Sequence, residues 1–174
     1  MKEAGRAQEL IERLLLQPHP ERGYYAETYR SPLSVQSLPL PDSESGPERG
    51  PRSASTAIYY LVTAGQPSSR LHRLRSDELF HLYEGGPLEV LLLVAGQPPV
   101  VRRLGLDLAA GERPQWVIPA GTWFGTELAA GASHCLIGCT VAPGFEFADF
   151  ELEEGEQLCE QFPAAAERIR RMLR

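Results

Sequence analysis

The sequence predicts an all-β fold, an antiparallel sandwich or barrel with a short helix at each end. Three observations predict it. From residue 54 onward, short β-branched and aromatic runs recur at near-regular spacing. Between them stand turns carrying Gly96, Gly111, Gly121, Gly131 and Pro143-Gly144. Helical periodicity, by contrast, is found near the two ends of the chain. The 174 residues, 43% of them hydrophobic, suit one domain with a sizeable core.

Taken in order, Leu10, Ile11, Leu14 and Leu15 recur at helical spacing, so residues 5–16 read as an amphipathic helix that Pro18 and Pro20 end. "GYYAETYRS" (23–31) alternates aromatic with small and polar residues, as a strand does. Residues 37–53 are rich in Pro, Gly, Ser and charge and read as a long loop. The strands that follow are "STAIYYLVTAG", "SRLHRL", "ELFHLYEGG", "LEVLLLVAG", "PVVRRLGLDL", "PQWVIPAG", "TWFGTEL" and "SHCLIGCTVAPG". "LEVLLLVAG" is apolar on both parities, so both its faces should be buried. "PAAAERIRRML" begins with Pro163 at a first-turn position and continues as an Ala-rich helix. The organisation expected is a single domain over 1–174: helix and lead-in at 1–22, barrel at 23–152 and helical tail at 153–174.

Net charge is −6, which leaves no basic surplus to neutralise phosphates and excludes nucleic acid and anionic membrane surfaces as expected partners. No stretch approaches the roughly 20 apolar residues of a membrane span, and no signal peptide is visible in "MKEAGRAQELIERLLLQ". Three cysteines, an odd number, point to reduced thiols and a cytoplasmic protein. Cys135 and Cys139 are four apart on one strand face, too far along a strand for a disulfide, and read as inert small hydrophobes.

The chemistry concentrates in "RLHRLRSDELFHLYEGG" (70–86). Strand parity places Arg70, His72 and Leu74 on one face, and Glu78, Phe80 and Leu82 on one face of the next strand. His72 and Glu78 can therefore converge inside a barrel, while His81 and Tyr83 point outward to sheet packing or a dimer contact. Arg73, Arg75 and Asp77 read as a solvated hairpin tip, and His19 and His134 as loop or core histidines without a ligand role.

These residues carry a resemblance. His72-x-Leu74, three residues, Glu78, six residues, Gly85 keeps the spacing of the first cupin motif, H-x-H…E…G, with one histidine changed. Pro119-x-Gly121, Thr122-Trp123, Phe124 keeps that of the second, P-x-G…H, with its histidine changed. Together with "HPERGYYAETYRS", "TAIYYLV", "PAGTWFG" and "GCTVAPGFEFADFEL", the chain resembles the DUF985 (cupin-5) subfamily over about residues 8–152. Arg22, where the resemblance implies glycine, and the 37–53 loop depart from its pattern. The implied fold is a double-stranded β-helix, the jelly-roll barrel, with short N- and C-terminal helices. The implied assembly is a symmetric homodimer.

A metal-binding cupin uses three histidines and one glutamate. Carried over by position, only His72 and Glu78 remain, because Leu74 and Phe124 cannot coordinate a metal. No metal and no cofactor are therefore expected. A titratable pair in an apolar pocket remains, coupled because burial raises a carboxyl pKa and a nearby imidazolium lowers it. Such a pair suits proton abstraction and return. The expected function is a metal-free isomerase- or epimerase-like enzyme acting on a small anionic, sugar- or nucleotide-like metabolite. His72 would be the base and Glu78 its partner or acid, with Arg70, Tyr60, Phe80 and Phe124 contacting the ligand. Tyr25, Tyr59 and Trp123 add to the aromatic supply. The alternative is a non-catalytic barrel binding a nucleotide- or hormone-like ligand, and a metal-dependent oxygenase or isomerase is disfavoured by Leu74 and Phe124.

Overall fold

The computed structural model describes residues 2–36, 50–65 and 69–173, the side chains of 2–4 excepted. The elements in chain order are helix α1 (Lys2–Arg13), strands β1 (Gln17–Pro18), β2 (Tyr24–Arg30), β3 (Ser34–Val35), β4 (Arg52–Ser53), β5 (Thr56–Thr63), β6 (His72–Leu74), β7 (Asp77–Gly85), β8 (Leu88–Leu93), β9 (Val100–Leu104), β10 (Gln115–Ile118), β11 (Trp123–Leu128), β12 (His134–Ala142) and β13 (Phe150–Leu152), then helices α2 (Gln157–Gln161) and α3 (Ala166–Leu173). Each strand expected from the sequence is present, with trimmed ends; "SRLHRL" keeps only His72–Leu74. β3 pairs with β4, so the end of the 37–53 segment is structured, while 37–49 lie outside the described residues.

Two antiparallel sheets form the barrel. One runs β1-β2-β5-β12-β7-β10 and the other β13-β6-β11-β8-β9. The alternation that made these segments readable as strands sends one face of each inward. Tyr60, Val62, Phe80, Ile137, Cys135 and Cys139 of the first sheet meet Leu88, Val90, Leu104 and Phe124 of the second. Cys135 and Cys139 are buried free thiols on that inward face, and burial raises both thiol pKa values.

Each sheet also has an apolar patch on its outer face, and a helix covers each. Leu10 and Leu16 of the α1 region pack on Leu61 and Leu136. Ile169 and Met172 of α3 pack with Leu158 and Phe162 on Leu71, Leu91 and Leu93. β8 is thus buried on both faces, as its apolar residues on both parities predicted, and its one charged residue, Glu89, pairs with Arg168 of α3. It sends Leu88 and Val90 inward, and Leu91 and Leu93 to the tail. Close approach is possible because β11 carries Gly125, where a Cβ would stand 2.7 Å from the Met172 sulfur.

Two helical details differ from expectation. α1 starts earlier and stops at Arg13, before either proline. Leu15 adopts the left-handed conformation (φ 54°), and Leu16 N–H closes on Ile11 O at 2.9 Å. This is a left-handed C-terminal cap, a device that glycine usually supplies. The tail folds as two helices, not one, with a short 3-10 turn at Pro163–Ala165 leading into α3. Among the described residues no helix is long and apolar enough to cross a membrane.

Because Ile169 is fully buried between the tail and β8, Ile169→Ala should cost about 2–5 kcal/mol of unfolding free energy. Denaturant titration reads this directly; a loss below about 0.5 kcal/mol would mean that the tail does not seal the sheet.

Candidate functional site in the barrel

Between the sheets lies a cavity of about 160 Å³. Residues two apart on a strand share a face, and the wall is built from such pairs. β5 gives Thr56 and Ile58, β7 gives Glu78 and Phe80, and β12 gives Cys139 and Val141. Across from them stand His72 and Leu74 of β6 and Phe150 of β13. Tyr25, Glu27 and Arg30 of β2 and the segment Phe145–Phe147 complete the wall, with His19 and Glu21 from the turn between β1 and β2.

His72 is 4% exposed and both its ring nitrogens face protein atoms. Nδ1 lies 2.8 Å from the Arg70 carbonyl. A carbonyl only accepts, so Nδ1 carries a proton. Nε2 lies 2.7 Å from Glu21 Oε2. This is a short charge pair, and Glu21 Oε2 takes part in no other side-chain or backbone hydrogen bond. Burial pushes the imidazole pKa down, but the Glu21 carboxylate and the Arg70 carbonyl outweigh it and hold His72 above its usual value. Burial likewise pushes Glu21 up, and His72, then His19, bring it below the usual carboxylate range. The two form an imidazolium–carboxylate pair.

The turn that presents Glu21 is tight. Arg22 and Gly23 both have positive φ, 79° and 71°, which explains why glycine is the residue the resemblance implies at 22. A Cβ on Gly23 would stand 2.8 Å from the Leu61 carbonyl. Arg22 O accepts the Tyr60 hydroxyl at 2.8 Å, and Arg70 N–H donates to Glu21 O at 3.0 Å. Glu21 N–H donates to His19 Nδ1 at 3.2 Å. His19 is therefore the Nε2–H tautomer, and burial lowers its pKa.

Glu78 differs from Glu21 in its charge. It is 7% exposed, its Oε2 has no hydrogen-bond partner, and the Cys139 thiol lies against its carboxyl. Burial, reinforced by the Glu21 charge and only partly opposed by His72, raises its pKa to about 8. The two buried carboxyl groups of the cavity are thus shifted in opposite directions, Glu21 below and Glu78 above the ordinary value, while Glu27, Glu146 and Arg30 line its more exposed part.

Of the residues singled out from the sequence, His72, Glu78 and Phe80 line the cavity and Arg70, Tyr60 and Phe124 do not. Phe124 pairs with His72 across β11 and β6 and places its ring 4.1 Å from the imidazole. Tyr60 is buried behind the wall, its hydroxyl committed to Arg22. Arg70 precedes β6, so strand parity does not apply to it. Its guanidinium lies 4.0 Å from Glu154, and it meets the site through its backbone N–H and C=O. Both ring nitrogens of His72 meet protein atoms, Nδ1 the Arg70 carbonyl and Nε2 Glu21. His81 points outward to Gln115 and Thr140, and His134 to Ser133 and Glu84. Two contributors were missed. Glu21 is remote in sequence and enters only through the turn. His19 was read as having no part in the site. The segment "HPERG", which carries both, was the available signal.

Two antiparallel sheets closed over a cavity, with positions from the first motif on its wall, define a cupin barrel. The chain belongs to the cupin superfamily and within it to the DUF985 family, which matches residues 8–153. It is 31% identical over 153 residues to the uncharacterized protein YML079W of Saccharomyces cerevisiae, covering 86% of this chain and 76% of the yeast protein. A hypothetical protein from Leishmania major aligns with a TM-score of 0.83 at 35% identity, over 95% of this chain and 97% of that one. Protein SO0799 from Shewanella oneidensis aligns at 0.81 and 34% identity, over 97% of both.

The metal that the superfamily implies does not fit these residues. Leu74 and Phe124 fill two of the four positions with hydrocarbon, and His72 is committed to Arg70 and Glu21. Among the described residues no three His, Cys, Asp or Glu side chains stand where they could hold one ion.

Two outcomes follow from the charges. Glu78 is protonated when folded and, with an ordinary pKa of 4.5, ionised when unfolded between pH 4.5 and 8. Folding there takes up a proton, so its contribution to stability falls as pH rises through that window. Glu78→Gln should therefore raise the unfolding free energy more at pH 8 than at pH 5, by an amount on the order of a few kcal/mol, read by denaturant titration at the two pH values; equal gains at both would contradict it. In Glu21→Gln the imidazole loses its counter-charge, so the His72 ring should titrate at lower pH than in the wild type by NMR, and an unchanged midpoint would disprove the pairing.

Proposed function

We propose that the barrel is a small-molecule site in which Glu78 moves a proton on the bound molecule, in an isomerase- or epimerase-like reaction. The observation that carries this is the pair of buried carboxyl groups on one cavity wall, held in opposite protonation states. Divergent environments of this kind assign roles: the group that titrates near neutral pH transfers protons, and the permanently ionised one stabilises charge. Glu21, held ionised by His72, is the fixed anion. Glu78 is the group that exchanges.

The step is redox-neutral. The ionised fraction of Glu78 takes a proton from a carbon next to a carbonyl or imine, and the C–H electron pair becomes an enolate or enamine. The same carboxyl returns the proton to that carbon or to the neighbouring atom. Apolar walls from Phe80, Phe145 and Phe150 keep the carboxyl desolvated, which is what raises its pKa and its strength as a base. The sequence-based assignment of the base to His72 is replaced by Glu78, with His72 as a positioning residue that charges Glu21.

A proton that leaves carbon and returns from an exchangeable carboxyl brings solvent hydrogen with it. Protein incubated with a metabolite extract in D2O should load deuterium onto one metabolite by mass spectrometry, and Glu78→Gln should abolish the gain. A ligand that binds in the barrel, identified after denaturation, but takes up no deuterium would establish a binding protein and refute catalysis.

A further inference from the structure

We infer that the ligand is an organic cation, a small apolar body bearing a primary ammonium, one N–H of which meets Glu21 Oε2. This rests on reading the cavity as a small-molecule site and goes on to the ligand's chemical class. It also departs from the anionic ligand that the sequence suggested.

The wall holds buried carboxyl oxygens without a hydrogen bond. They are Glu21 Oε2 and Glu78 Oε2, on residues 8% and 7% exposed. Buried acceptors left in this state are costly, and a donor on the ligand removes the cost. The wall's own cationic side chains are engaged with other groups. Arg30 donates two N–H groups to Glu27, one to Glu146 and one to the Phe145 carbonyl. His72 donates Nδ1–H to Arg70 O and sets Nε2 against Glu21. Arg70, which the sequence offered to an anionic ligand, does not line the cavity and lies 4.0 Å from Glu154. What remains is the Nε2–H of His19, the hydroxyls of Thr56 and Tyr25 and the acid proton of Glu78, neutral donors that bring no charge to neutralise a carboxylate or phosphate.

The charges agree. Glu21, Glu27, Glu78 and Glu146 line the cavity against Arg30 and His72. His72 cancels Glu21, and Arg30 cancels one of Glu27 and Glu146, so the wall is negative even with Glu78 protonated. An anion entering would meet that excess without a free guanidinium. An ammonium would be drawn by it, and the faces of Tyr25, Phe145 and Phe150 add cation–π attraction. Its positive charge beside Glu78 also favours the ionised carboxyl that accepts the substrate proton.

A matched set of probes separates the classes: cyclohexylamine, cyclohexanol and cyclohexanecarboxylate share one body and differ only in head group. Calorimetric titration of the full chain at neutral pH and constant ionic strength should give the amine about tenfold tighter binding than the alcohol. The carboxylate should give no heat up to about 10 mM. Glu21→Gln should bring the amine down to the alcohol, and Phe80→Trp, which fills the cavity, should abolish both. The wild-type series decides the matter even if Glu21→Gln fails to fold. Alcohol or carboxylate binding as tight as the amine, and lost in Phe80→Trp, would overturn the cationic class and leave the small-molecule cavity standing. No binding of any of the three would overturn both.

Discussion

The site depends on one contact, the charge pair between His72 on β6 and Glu21 in the turn after β1. Two full charges in an apolar barrel are tolerated only when each compensates the other and further polar groups support them. Here the support is a backbone clasp at Arg70, which donates its N–H to Glu21 O and receives the His72 Nδ1–H on its carbonyl. The clasp fixes the tautomer, the ring orientation and the sign of the charge together. Phe124 packs against the imidazole with ring centroids 4.1 Å apart and planes tilted by 57°. Removing either charged partner would leave the other buried alone, so the pair orders the turn as much as the turn orders the pair.

The consequence reaches Glu78 through space. A second carboxylate in the same cavity cannot draw on His72 as fully, because Glu21 already claims it. Burial and the Glu21 charge both favour the protonated form, and the pKa moves to about 8. Two glutamates of identical intrinsic acidity thus end in different protonation states because only one sits against the imidazolium. A titration near neutral pH is what proton transfer at physiological pH requires.

The barrel was legible in the sequence because strand alternation and glycine turns are local signals, and β5, β7, β8, β11 and β12 fall where those signals placed them. The double burial of β8 was legible too, since a strand with apolar residues on both parities needs cover on both faces, and α3 supplies it on the outer one. His72, Glu78 and Phe80 were legible because motif spacing and parity set which side chains point inward. Parity failed at Arg70, which lies outside the strand, where the backbone no longer alternates. Glu21 was out of reach of any such rule. Its place depends on two consecutive residues with positive φ, one of them an arginine, and on a pairing across some fifty residues of chain. Nothing in local propensity announces an arginine in a left-handed conformation.

The two changed motif positions bear on the same balance. With Leu74 and Phe124 in place, no cation is held by the motif, and the negative charge of two buried glutamates must be met otherwise. One is met by a proton on His72 and the other by a proton on its own carboxyl. Protons are compensation that can be moved, whereas a resident ion would be fixed. The rim repeats the arrangement with Arg30 shared between Glu27 and Glu146, and one carboxylate is left in excess. A barrel wall neutralised by mobile protons and still short of positive charge is completed by a ligand that brings its own. Binding such a ligand would release the proton that Glu78 holds, which couples recognition to the chemistry in one carboxyl group.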